Sequence, residues 1–114
     1  MILTALITGA AIIAGVGIVA AFWNDMIDWL KRAIAKVESV VAGILYGSRV
    51  FVIKISEGVQ EISRHYSKVE DHWQETTVTK TVSASEVPQE ILDRANLYQE
   101  LDITEDLELQ LQSA

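Results

Sequence analysis

The first twenty-three residues, MILTALITGAAIIAGVGIVAAFW, carry no charged side chain and only two polar ones, Thr4 and Thr8. As a helix rising 1.5 Å per residue, such a run reaches about 34 Å, enough to cross a hydrocarbon core of about 30 Å. The length therefore predicts a membrane-spanning helix over residues 1–23. A cleaved secretory signal would begin with basic residues, and none precedes this run. A buried helix of a soluble oligomer is the remaining alternative. Phe22 and Trp23 end the run, and Trp29, Lys31 and Arg32 follow closely. Aromatic and basic residues in that order are expected at the membrane interface.

Charge divides the rest of the chain. Between residues 24 and 68, seven Lys/Arg stand against five Asp/Glu, whereas between 69 and 114 two stand against eleven. The near-neutral stretch is thus followed by a segment of net charge −9, within a total of −7. Phosphate backbones require a basic surface, so no nucleic-acid partner is expected. Lys31, Arg32 and Lys36 lie just after the apolar run, which by the positive-inside rule puts the C-terminal part in the cytoplasm of a single-pass cell-membrane protein. The absence of cysteine removes disulfide frameworks and thiolate metal sites.

Within the run, Ala10, Ala14, Gly17 and Ala21 recur at 4-3-4 spacing, and Ala11 with Gly15 forms a second small pair. Small residues at this spacing let helix backbones approach closely in lipid, which predicts self-association or packing on a partner span. From Ile27 the apolar residues Leu30, Ile34, Val37, Val41 and Ile44 follow a 3-4-3-4-3 rhythm, opposite Asp25, Asp28, Arg32, Lys36 and Ser39. That is an amphipathic helix over residues 24–48, suited to the membrane surface, to a subunit contact or to a core within the chain. A second span over residues 40–53 is disfavoured by its length and by Arg49.

Residues 49–71 fit two periods. Val52, Ile55, Val59, Ile62, Tyr66 and Val69 keep a heptad-like rhythm, yet Val50 to Ile55 are rich in strand formers and Ser56-Glu57-Gly58 reads as a turn. Residues 73–82, WQETTVTKTV, form the best strand, with residues 59–66 as the nearest partner. Ser83 to Glu86 break that strand, Pro88 suits a helix start, and residues 101–111 read as a short edge strand or an acidic tail.

Chemistry-bearing groups are sparse. His65 and His72 would join Glu61 in a cluster only on a helix, and without further ligand spacing both histidines are expected at the surface. No phosphate loop or nucleophile elbow occurs. No catalytic, cofactor or metal residues are therefore expected. The expected fold is a membrane α+β protein: a transmembrane helix over 1–23, an amphipathic juxtamembrane helix over 24–48, and a small α+β appendage over 49–114 with an acidic end. An all-α long helix or coiled coil is the alternative. The expected function is that of a small non-enzymatic membrane-anchored subunit or adaptor. It would contact the lipid bilayer, self-associate through Ala10, Ala11, Ala14, Gly15, Gly17 and Ala21, and present a docking region to a cytoplasmic protein. The alternative is a membrane-permeabilising oligomer of the holin, toxin or defence-effector kind.

Overall fold

The computed structural model describes residues 17–41 and 44–113. In chain order they form helix α1 (Ile18–Val40), strands β1 (Ile44–Ile55), β2 (Gly58–Val69) and β3 (His72–Val82), a 3₁₀ turn (Ala84–Glu86), helix α2 (Gln89–Arg94), strand β4 (Glu100–Asp102) and helix α3 (Thr104–Ser113). The four strands make one antiparallel sheet in the order β3-β2-β1-β4.

The membrane expectation is corrected by α1. No Pro or Gly interrupts the chain at Asn24, so the helix runs without a break from Ile18 through Asp25, Asp28, Lys31, Arg32, Lys36 and Glu38. Its apolar residues form a stripe, not a sleeve. Ala20, Trp23, Ile27, Leu30, Ile34 and Val37 continue the 3-4-3-4-3 spacing backwards into the uncharged run, and Phe22, Met26, Trp29 and Ala33 widen it. All ten are buried against the sheet and the segments beside it, whereas Ala21, Asp25, Asp28 and Arg32 are exposed. No helix among the described residues is long and apolar enough to cross a membrane. The described fold is α+β, with a four-stranded sheet and three α-helices. The single-pass, cell-membrane expectation with its cytoplasmic C-terminal part therefore loses the helix on which it rested, and residues 1–16 lie outside the described residues.

The ambiguous stretch 49–71 resolves as strands. β1 and β2 pair from Ile55↔Gly58 to Ile44↔Lys68, with an irregularity between Leu45 and Gly47. The expected pairing of residues 59–66 with the threonine-rich strand is present, from Val59↔Val82 to Val69↔His72. Two-residue turns close both hairpins. Glu70 and Asp71 each take positive φ, 50° and 67°, the mirror-image geometry that matches strand twist. Gly58 sits at φ 151°, and a Cβ there would lie 2.5 Å from the Val82 carbonyl oxygen, so the end of β3 can close down only on glycine.

Residues 101–111 divide between a strand and a helix. Leu101 joins β4, and the chain then turns into α3, where Leu107 is fully buried. Thr104 anchors this turn to β1: its Oγ1 accepts the Val50 N–H at 2.9 Å and donates to the Val50 carbonyl at 3.3 Å. The core lies on one face of the sheet, where α1 packs on Val50, Val52 and Val59 together with Val87, Ile91, Ile103 and Leu107.

Candidate binding face

In an antiparallel sheet, directly paired residues share a face and neighbours along a strand alternate. The registers therefore sort the side chains into two sets. One face meets α1 and carries Ser48, Val50 and Val52 from β1, Val59, Glu61, Ser63, His65 and Ser67 from β2, and Gln74, Thr76, Val78, Lys80 and Val82 from β3. The opposite face carries Arg49, Phe51 and Ile53, then Ile62, Arg64, Tyr66 and Lys68, then Trp73, Glu75, Thr77, Thr79 and Thr81, with Glu100 and Asp102 from β4.

The inner face is unexpectedly polar. Ser48, Ser63 and His65 are each 0% exposed, and Glu61 and Ser67 are nearly so. His65 Nδ1 lies 2.7 Å from Ser48 Oγ and Nε2 lies 3.0 Å from Ser63 Oγ, while the Ser63 hydroxyl donates to the Val78 carbonyl at 3.5 Å. These contacts assign roles. If Ser63 gives its proton to Val78, it accepts from Nε2–H, and Nδ1 accepts from Ser48. Burial pushes the imidazole down to about 4, so the ring is neutral at pH 7. Ser48 and His65 have the spacing of a nucleophile and its base, but both are sealed beneath α1. The expectation of two surface histidines is thus corrected for His65; His72, beside the β2–β3 turn, is exposed.

Glu61 is buried and paired to Lys80, with Nζ 3.7 Å from Oε1, and Lys80 also lies 5.5 Å from the Trp29 ring centroid. Burial pushes the Glu61 carboxyl up, against the attraction of Lys80. Glu61 and His65 share a face but stand about 13 Å apart along an extended strand, too far to share a metal ion. Among the described residues, no group of three His, Cys, Asp or Glu could hold one.

The outer face is open and is organised by ion pairs. Arg64 holds Glu100 with both terminal nitrogens and Glu75 through Nε at 3.1 Å, and its guanidinium lies 4.6 Å from the Phe51 ring centroid. That hydrogen bonding holds the Glu100 carboxyl below its usual range. Arg49 donates to Asp102 at 2.6 and 3.0 Å; burial pushes this carboxyl up, but the bonds from Thr104 and Arg49 outweigh it and hold it low. Beside Arg49 is a cleft of about 370 Å³, where Arg94 is likewise held by Asp106 at 2.8 Å and Glu90 at 3.2 Å. Both guanidiniums in the cleft are thus already matched by carboxylates.

One end of this face differs. Tyr46, at the irregularity of β1, and Trp73, at the start of β3, meet edge to face with ring centroids 5.1 Å apart. They are 50% and 63% exposed, and Lys68 Nζ lies 5.7 Å from the Trp73 ring. Of the residues expected at a membrane interface, Phe22, Trp23 and Trp29 are buried in the core, Lys31 is half-buried and Arg32 exposed. Of those expected to pack helices, Gly17 precedes α1 at φ 93°, Ala21 lies exposed on α1, and Ala10, Ala11, Ala14 and Gly15 lie outside the described residues. Trp73 was legible as a strand residue, but its meeting with Tyr46 was not, because that contact crosses two hairpins. The chain matches no protein-family model, no characterised protein and no solved structure.

Proposed function

We propose that the protein is a small non-enzymatic adaptor that docks a protein partner on the open face of its sheet, with Tyr46 and Trp73 as the anchor. The observation that carries this reading is the pair of large, half-exposed rings standing beside a face whose arginines are already ion-paired. Tyr, Trp and Arg dominate the energetics of protein interfaces, and rings held in place by one another lose little freedom on binding. The ion pairs around them would form the polar rim.

The test uses the full chain as bait in three forms: wild type, the double variant Tyr46→Ala/Trp73→Ala, and Asp28→Ala on the exposed side of α1. The substituted rings lie at the surface, so the double variant should keep its far-UV spectrum. Loss of an anchor worth about 2 kcal/mol weakens binding about 30-fold. A partner retained by wild type and Asp28→Ala but lost by the double variant supports the reading. Full retention by the double variant, or no partner bound by wild type, overturns it.

A further inference from the structure

The two edges of the sheet are finished differently. On the β1 side, β4 pairs with Phe51, Val52 and Ile53, the Val50 N–H and C=O meet Thr104 and Ile103, and the Lys54 carbonyl accepts from Tyr98 N–H. The β3 side has no such cover among the described residues. It is an eleven-residue strand without proline or irregular register, and its one inward-pointing charge, Lys80, is already neutralised by Glu61. Unguarded edges of this length are templates for another strand.

The exposed pattern suits one occupant above others. The two-residue turn makes Val69 and His72 the hydrogen-bonded closing pair, so alternate residues Trp73, Glu75, Thr77, Thr79 and Thr81 aim their N–H and C=O groups outward. Thr77 is the midpoint of β3. A two-fold axis through Thr77 would pair the strand with its own copy over its whole length, giving Thr77 opposite Thr77, Glu75 opposite Thr79 and Trp73 opposite Thr81 on the outer face. On the inner face Thr76 would meet Val78 and Gln74 would meet Lys80. Threonine–threonine and aromatic–threonine pairs are favourable, and no like charges face each other. A register centred instead on Glu75 would oppose two carboxylates.

We propose that β3 is a homodimer interface, in which two copies join antiparallel through Thr77 into a continuous eight-stranded sheet held by about ten backbone hydrogen bonds. This interface is independent of the docking reading. It would put two Tyr46–Trp73 corners on one face, with the Trp73 positions about 27 Å apart along the strands, a spacing suited to a two-fold partner. Because each copy carries −7, added salt should favour the dimer.

The chain has no cysteine, which makes the register directly testable. Thr77→Cys puts two thiols face to face across the axis, whereas Thr81→Cys leaves them about 27 Å apart. Both side chains are exposed on the outer face. Under mild oxidation Thr77→Cys should crosslink at least tenfold faster than Thr81→Cys. Sedimentation equilibrium of the unmodified full chain should show a dimer that Thr77→Lys, with two lysines opposed on the axis, converts to monomer without changing its far-UV spectrum. A wild type that stays monomeric at several hundred micromolar in raised salt, equal crosslinking from both positions, or a dimer untouched by Thr77→Lys overturns the proposal. Loss of the dimer with Tyr46/Trp73 docking retained, or the reverse, separates the failure of one reading from failure of the other.

Discussion

Acidification should unlock the His65 seam before it disturbs the outer face. Above pH 6.5 the imidazole is neutral in the folded and unfolded chain alike, so its titration gives stability no pH dependence there. Below that value the unfolded chain binds a proton, while the folded chain resists until about pH 4, because the ring lies fully buried between Ser48 and Ser63. The stability held by the neutral ring is therefore complete above pH 6.5 and lost as pH falls through about 4. The slope is about 1.4 kcal/mol per pH unit, so the total over this window is about 3 kcal/mol. Urea unfolding of wild type and His65→Gln at pH 7.5, 6, 5 and 4 measures this. Glutamine keeps a donor and an acceptor in the seam but cannot titrate, so the difference between the two pH dependences isolates His65 from acid-sensitive carboxylates such as Asp102 and Glu100. The imidazole resonances of wild type give a second measure that does not depend on the variant folding. Titration of His65 near 6.5, or parallel pH dependences in the two proteins, would show that burial between Ser48 and Ser63 does not hold the ring neutral.

Three further outcomes are expected. Glu61 has its folded-state pKa raised by burial, so its contribution is present below the usual carboxylate range and lost as pH rises; Glu61→Gln should raise the urea midpoint at pH 7 and lose that advantage at pH 4. Replacing Glu70 and Asp71, both at positive φ, by Asn-Gly should add about 1 kcal/mol with no change in the slope of the urea transition. Leu30→Ala should cost about 3 kcal/mol, since Leu30 is wholly buried, whereas Ala21→Leu on the exposed side of α1 should stay within about 0.5 kcal/mol.

Local chemistry was legible where it acts over few residues. The threonine and valine run from Trp73 to Val82 is a strand because β-branched side chains suit the pleated backbone, and the turn at Ser56-Glu57 follows from the glycine after it. The stripe from Ile27 to Val37 is a helix face for the same reason of period, but its expected continuation to Ile44 in a helix over 24–48 fails, because Val41 takes extended backbone and Ile44 opens β1. The docking corner was less legible. Its two rings stand twenty-seven residues apart in sequence, and only the stacking of three strands brings Tyr46 against Trp73.

Unaided, the sequence shows that an apolar stripe beginning at Ile27 lies on a helix, that the middle of the chain favours extended backbone, and that its second half is strongly acidic. It did not determine what the stripe would face. An apolar helix face is satisfied equally by lipid, by a second copy or by a sheet, since removal of apolar surface from water is non-directional. The tertiary structure decided for the sheet, because β1 and β2 offer Val50, Val52 and Val59 as a matching face within the same chain. That choice buries His65 and Glu61 under α1, turns Arg64, Tyr66 and Trp73 outward, and leaves β3 as a sheet edge without a covering strand among the described residues.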